Sequence, residues 1–313
     1  MTGPDEVVGQ AEAILRAACG DRVRTRFVLA PLTTFRIGGP AALFLEPESE
    51  RDLVAVSEAV RQTGIPVAVL GKGSNVLVAD EGYRGLVLRL GRGYRWSARD
   101  GDRLTAGGAM PLPALAGVAL AHGLAGLEFG VAIPASLGGA VRMNAGAHGG
   151  SLADVIESVD VFGLSDGSTR RVPADEAGFS YRRSALAPDG VVVGATVRLG
   201  AGEPAEIRAR MDEAREWRRR TQPLAEPNCG SVFKNPHGDH AARLIEEAGG
   251  KGRRVGPASV STKHANFIVA SEGATAFDVL TLVREVQDLV DQRSGVLLEP
   301  EVHLLGDLDL ASR

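Results

Sequence analysis

Pro66-Val67-Ala68-Val69-Leu70-Gly71-Lys72-Gly73-Ser74-Asn75 is the stretch on which the reading of the fold turns. Its first half is apolar and ends at a glycine, which predicts a buried strand over 66–70. Its second half is small and polar. Such residues leave main-chain N–H groups free to cradle phosphate oxygens, and Ser74 and Asn75 add side-chain donors. The loop is neither G-x-x-x-x-G-K-[ST] nor G-x-G-x-x-G, so two common nucleotide signatures are absent. Taken alone, it reads equally well as an ordinary tight turn. Immediately upstream, Glu50–Gln62 spaces Leu53, Val54, Val56 and Val60 for one buried helix face, and Ala41–Leu45 reads as a strand. The three segments predict a βαβ unit that ends in the glycine loop. Val76–Ala79 and Gly85–Leu90 add two short strands.

Further out, residues 5–19 predict a short amphipathic helix and Pro111–His122 an Ala/Leu-rich one. Gly126–Gly149, GLEFGVAIPASLGGAVRMNAGAHG, shows little periodicity. A run of about 24 residues without regular structure is uncommon inside a domain and is often functional. Val131, Ile133, Leu137 and Val141 mark it as packed, while Gly138, Gly139 and Gly146 allow close approach to a ligand, with Arg142 and Asn144 as polar contacts. Val155–Gly163 and Gly190–Leu199 read as strands. Leu199–Pro204 is the best boundary. Beyond it, helices are expected over 205–220, 240–249 and 276–293, the last with Phe277, Leu280, Val283, Val286 and Val290 on one face. Strands are expected over 266–270, 295–298 and 302–305. The expected division is a lead-in over 1–30, a domain over 31–200 in two parts (31–90 and 91–200), and an α+β domain over 201–313.

Composition narrows the function. The 313 residues carry 35 Lys+Arg against 39 Asp+Glu, a net charge of −4, which gives no general nucleic-acid or anionic-membrane surface. No apolar run approaches the roughly 18 residues of a membrane span, and the first residues lack a signal-peptide pattern. Two distant cysteines, Cys19 and Cys229, exclude a disulfide framework and fit the cytoplasm. The six histidines form no metal-ligand pattern; His237-x-x-His240 lacks a third ligand, so no metal is expected. Glycine is the outlier, at 40 residues where about 7% is usual. Trp217-Arg218-Arg219-Arg220 complements a helix macrodipole or clamps phosphate. Ser231, Lys234 and Asn235 lie close together in Cys229–Pro236. Glu299 and Glu301 flank Pro300 in an apolar segment, where a buried carboxylate is costly unless paired or functional.

In order along the chain, Thr33–Pro40, Gly71–Asn75, Gly126–Gly149, Ser180–Ser184, Cys229–Pro236, Lys263–Phe267 and Leu298–Gly306 resemble the UDP-N-acetylenolpyruvoylglucosamine reductase family. The resemblance runs from about residue 31 to 306. It implies an α+β chain: a two-subdomain FAD-binding fold of the vanillyl-alcohol-oxidase type, followed by a C-terminal substrate domain. It implies noncovalent FAD, NADPH as hydride donor and a UDP-sugar substrate, with no nucleic acid, membrane or obligatory protein partner. The cofactor contacts it implies are Arg36, Gly71, Lys72, Gly73, Ser74, Asn75, Gly138, Gly139, Arg142, Asn144 and Gly146. Lys234 and Asn235 are implied at the substrate. The implied catalytic set is Arg182 from Tyr-Arg-x-Ser, Ser231 from Gly-Ser-x-Phe and Glu301 near the end. The choice of Glu301 over Glu299 rests on the family pattern alone. The chain resembles the shorter form of the family, without an inserted tyrosine-bearing loop. Gly73→Val is expected to impair FAD binding more than folding. A flavin oxidase on the same fold and a non-catalytic nucleotide-binding module are the rival readings.

Overall fold

The computed structural model describes residues 3–309. Its helices are α1 (Pro4–Cys19), α2 (Glu50–Thr63), α3 (Leu112–Ala121), α4 (Leu137–Arg142), α5 (Pro204–Thr221), α6 (Ala241–Glu247) and α7 (Ala276–Ser294). The first strands are β1 (Arg24–Val28), β2 (Pro40–Leu45), β3 (Val67–Val69), β4 (Val76–Val78), β5 (Tyr83–Leu88), β6 (Ser97–Asp100) and β7 (Arg103–Gly107). The chain is α+β, and it divides into two compact units. One comprises the chain up to Thr25, Ala42–Lys72 and Gly85–Trp217; the other comprises Arg26–Ala41, Gly73–Arg84 and the chain from Arg218 onward. The second unit thus draws two short stretches from the part of the chain that the sequence assigns to 31–200.

In the first unit, α2 begins with a capping box: Ser49 accepts from the Asp52 N–H, and Asp52 accepts from the Ser49 N–H. Gly64 ends the helix in the left-handed region at φ 69°. Leu53, Val56 and Ala59 are buried, but Val54 is 44% exposed. Val54 lies about 100° around the helix from Leu53, which takes it off the buried stripe. The surrounding sheet has the order β1-β2-β5-β3, with β3 parallel to β5. The expected βαβ unit is therefore corrected in one respect: β5 separates the two strands that α2 connects.

Asp52 also ties down the 3₁₀ turn Gly20–Arg22 that follows α1. Its carboxylate accepts from Arg22 Nη1 and Nη2 at 2.7 and 2.6 Å, and from the Glu48 N–H at 2.7 Å. The Arg22 bonds, helped by the Glu48 N–H, hold its pKa at about 2, against 3.8 ordinarily. A carboxylate depressed in the folded state contributes stability above its unfolded pKa and loses it as pH falls through the folded one. Asp52 is buried but Arg22 is half-exposed, so Asp52→Asn is expected to cost about 2 kcal/mol at pH 7, the worth of the depressed carboxylate. The difference from wild type should shrink between about pH 4 and 2. Urea unfolding across that pH range checks both the size and the trend.

The other sheet of this unit is antiparallel, ordered Thr169–Pro173, Ile156–Gly163, Gly190–Arg198, β7, β6. Against it pack Leu112, Leu115, Leu137, Val141, Ile207 and Met211 from α3, α4 and α5. Gly126–Gly149 is more regular than its sequence suggests. It holds a 3₁₀ turn over Glu128–Ala132, helix α4 and the start of a small ribbon, with Phe129, Val131, Leu137 and Val141 buried.

The second unit has its own core of Phe35, Ile37, Leu77, Phe233, Ile268 and the inner face of α7. β4 runs parallel to His303–Leu305, and a three-stranded antiparallel sheet joins Arg254–Val255, Ala258–Val260 and Ile268–Ala270. Helix α7 is capped by a Thr275–Asp278 box and ends at Gly295 at φ 69°. Asp80 accepts from the Ala276 and Phe277 N–H groups at the N-terminal end of α7. Two expectations fail here. Phe277 is 66% exposed, and Ala276 and Val279 take the inner face with Leu280. Residues 295–298 form no strand; Leu298 is buried, but its carbonyl accepts from Gln287 Nε2 and not from a neighbouring strand.

Candidate active site

The glycine loop follows β3. Among the described residues, no backbone N–H from Gly71 to Asn75 donates to another group of the protein. Five successive amides are thus available to an anion, which is what a diphosphate requires. Lys72 stands beside them. Burial, then the charges of Arg95 and Arg89, hold its ammonium below its ordinary pKa. These three cations form a positive spot that favours a bound anion. Sequence reading missed Arg89 and Arg95; the basic run LRLGRGYR at 88–95 was the available signal.

Gly71 brings the two glycine segments together. A Cβ on it would stand 2.6 Å from Ser136 Oγ and 4.0 Å from Gly139 Cα. A Cβ on Gly139 would meet Ser136 Oγ at 3.4 Å, an ordinary contact, so this glycine is less crowded than Gly71. Other residues of this segment also make contacts within the fold. Gly138 donates to the Gly108 carbonyl and has no room for a Cβ, because the Val192 carbonyl lies 2.9 Å away. Gly146 packs against the Gly150 carbonyl in the ribbon. Arg142 is largely buried, and its guanidinium donates to the Leu186, Ala187 and Gly190 carbonyls.

Asn144 supports the turn that carries Arg182. Its Nδ2 donates to the Ser180 carbonyl at 2.9 Å, and its Oδ1 accepts from the Ala153 N–H. Ser184 Oγ donates to the Arg142 carbonyl. Between these ties, the Arg183 N–H donates to the Ser180 carbonyl, so residues 180–183 form a tight turn. Arg182 is its third residue and has φ 55°. Glycine is the usual occupant of a positive φ at that place. Keeping an arginine there costs on the order of 1 kcal/mol or more, a kind of strain found at functional sites.

Gly73 lies in the second unit, against Thr33–Gly39. Its carbonyl accepts from Thr34 N–H and Oγ1 at 2.9 and 3.2 Å. A Cβ on Gly73 would stand 2.1 Å from the Leu32 carbonyl oxygen, and its φ is 63°. The expectation that valine spares folding is therefore corrected: the side chain meets backbone, which cannot swing aside. Gly73→Val should destabilise the protein by about 3 kcal/mol or more. Thermal melting in saturating FAD checks this, because a purely cofactor defect would be offset there. Arg36 stands on the same segment, exposed at φ 58° between buried Phe35 and Ile37.

The segment that follows Ser231 and the segment that carries Glu301 pair through their backbones in this unit. The Glu301 N–H donates to the Val232 carbonyl at 2.7 Å, Phe233 bridges Pro300, and the Lys234 N–H donates to the Glu299 carbonyl. The other side of the Ser231 segment is clamped by buried Asn266. The Val232 N–H donates to the Asn266 carbonyl, the Phe233 N–H to Asn266 Oδ1, and Asn266 Nδ2 to the Phe233 carbonyl. This gives the Lys263–Phe267 segment its purpose, one the sequence did not disclose. Preceding Ser231, Gly230 turns at φ 80°, and Cys229 is buried. Burial above all, with the charge of Glu301 adding, pushes the Cys229 thiol well above its ordinary pKa.

The two carboxylates near the end of the chain are now distinct. Glu299 has a 70% exposed side chain and pairs with Lys234 Nζ at 2.5 Å. Glu301 is half-buried and close enough to Cys229 to act on it. Asn235 accepts from the Ala241 N–H at the start of α6. Arg218 donates through Nε to Gln222, and Lys263 Nζ donates to the Arg219 carbonyl at the end of α5. That arrangement suits the helix-terminus reading of the basic run. Arg182 belongs to the first unit, Ser231 and Glu301 to the second. Among the described residues no group of three or more potential ligands could hold a metal ion, and no helix is long and apolar enough to cross a membrane.

Comparison with known proteins bears on each part of this arrangement. Residues 41–173 match the FAD binding domain family, and residues 222–305 match the UDP-N-acetylenolpyruvoylglucosamine reductase C-terminal domain. The reductase of Heliobacterium modesticaldum is 48% identical over 277 residues, 88% of each chain. That of an Anaeromyxobacter species is 46% identical over 96% of this chain and 95% of its own. The crystal structure of the Thermus caldophilus reductase superposes with a TM-score of 0.81 at 40% identity, covering 91% of this chain and 99% of that one. With a flavin-domain match, a matching C-terminal domain and relatives alike over nearly their whole length, the chain belongs to the UDP-N-acetylenolpyruvoylglucosamine reductase family of FAD-dependent oxidoreductases.

Proposed function

We propose that the protein, acting in the cytoplasm, uses NADPH to reduce the enolpyruvyl group of UDP-N-acetylglucosamine enolpyruvate, giving UDP-N-acetylmuramate for peptidoglycan precursors. The observation that carries this reading is the backbone pairing of the segment that follows Ser231 with the segment of half-buried Glu301. The free amides of Gly71–Asn75, with Lys72 and Gly139, would hold the FAD diphosphate noncovalently. The chemistry FAD supplies there is storage of two electrons, received as hydride from NADPH and delivered as hydride to one carbon of the enolpyruvyl double bond.

The chain's own residues handle the charge and the proton. As hydride arrives, negative charge develops toward the enolpyruvyl carboxylate, and preorganised donors stabilise it. Arg182 suits that task through its planar guanidinium fork. The adjacent carbon then takes a proton from Ser231 Oγ, supported by Glu301. The sum is one hydride and one proton added across the double bond, with NADPH oxidised to NADP⁺. Lys234 and Asn235 would meet the sugar nucleotide. Arg36 would contribute to the cofactor site from its exposed turn.

The test is NADPH oxidation in the presence and absence of the UDP-sugar, with product quantified. One product per NADPH supports the proposal. NADPH consumption with peroxide and no product would favour an oxidase. The carboxylate assignment has its own check. Glu301→Gln should lower turnover about 10²-fold with FAD retained, while Glu299→Gln should change it less than about threefold, as expected for an exposed ion pair. Steady-state rates of the two variants, side by side, decide between them.

A further inference from the structure

The glycine loop does more in the second unit than offer amides. Asn75 Nδ2 donates to the Glu301 carbonyl at 3.0 Å, across 226 residues of chain, and the His303 N–H donates to the Asn75 carbonyl at 3.1 Å. The parallel ladder between β4 and His303–Leu305 begins one residue later, at Val76 and His303. Asn75 therefore extends that ladder past its end with a side-chain bond, and the residue it reaches is Glu301. Glu301 is held on its other side by the Val232 carbonyl. Its peptide is thus fixed from two directions, by the glycine loop and by the Ser231 segment.

The geometry points to Asn75 as a positioning residue for Glu301, with the loop that binds cofactor phosphate also setting the place of the catalytic carboxylate. The inference rests on the reading of Glu301 above and deepens it. A primary amide suits this role because it donates through a short side chain to a carbonyl just beyond the end of the ladder. Without it, the Glu301 peptide loses its side-chain bond to the loop, and a displacement of about 1 Å at a catalytic group can cost on the order of 10²-fold.

The test uses FAD-loaded Asn75→Ala, Glu301→Gln and the double variant in anaerobic stopped-flow, with FAD affinity and thermal midpoints measured alongside. Asn75→Ala keeps every backbone amide of the cofactor loop, and its FAD affinity is measured so that only fully loaded enzyme is compared. Its reoxidation by the enolpyruvyl UDP-sugar should slow by about 10–100-fold. In the Glu301→Gln background the same change should add little, because residues acting through one group are not additive. Full additivity in the double variant would overturn the inference and leave Asn75 a general structural residue. Lost FAD affinity with normal reoxidation would overturn it too, making Asn75 a cofactor ligand only. Normal reoxidation in Glu301→Gln alone would overturn it as well, with the fault lying in the reading of Glu301. Asn75→Ser, whose hydroxyl falls short of the Glu301 carbonyl, serves the same purpose should the alanine variant fold poorly.

Discussion

Ser231→Ala is expected to take electrons from NADPH at a near-normal rate and then fail to pass them on. Hydride transfer from NADPH needs no proton at the enolpyruvyl carbon, so the first half-reaction has no use for Ser231. The second half-reaction builds charge that the proton must neutralise. Loss of a positioned general acid typically costs about 10²–10⁴-fold. A serine hydroxyl is a weak acid, and a large effect depends on how firmly it is placed. The Ser231 segment is held by Asn266 on one side and by the Glu301 strand on the other. Alanine leaves every one of those backbone bonds intact, so the variant should fold and retain FAD. Stopped-flow absorbance separates the two phases. Normal recovery of colour on adding the UDP-sugar would assign the proton to another group.

Arg182→Gly should lower turnover about 10²–10³-fold while leaving the fold untouched. The guanidinium is assigned to developing negative charge, and removing such a donor costs about 10²–10³-fold. Stability should behave in the opposite sense. Arg182 sits at φ 55°, and the Asn144 and Ser184 bonds to the flanking residues hold the turn in place. Glycine adopts that angle without strain, and the relief offsets its greater freedom in the unfolded chain. The melting midpoint should therefore stay within about 1 kcal/mol equivalent of wild type, or rise. A large fall in stability alongside the lost activity would make Arg182 a structural residue.

The sequence disclosed this molecule unevenly, for physical reasons. Helices α2 and α7 were legible because a 3.6-residue apolar period and capping residues accompany each other. Strands β1, β6 and Thr169–Pro173 were not, since their residues are mostly exposed and charged and show no buried alternation. The glycine loop could be read from sequence as either a phosphate cradle or a tight turn, but its attachment to Glu301 through Asn75 was not legible, because nothing local marks a partner 226 residues away. Glu299 and Glu301 share a strand face in principle, and only burial and the Lys234 ion pair distinguish them. Arg142 and Asn144 were legible as polar residues in a functional segment. Their ties to the 180–190 loop come from tertiary structure alone.

A single-turnover experiment tests the central claim most directly. FAD-loaded protein is reduced with one equivalent of NADPH without oxygen, and the enolpyruvyl UDP-sugar is then added. The account predicts bleaching of the flavin by NADPH, rapid return of its absorbance on adding the sugar, and one equivalent of UDP-N-acetylmuramate. Flavin that stays reduced until air is admitted, with no product formed, would contradict it.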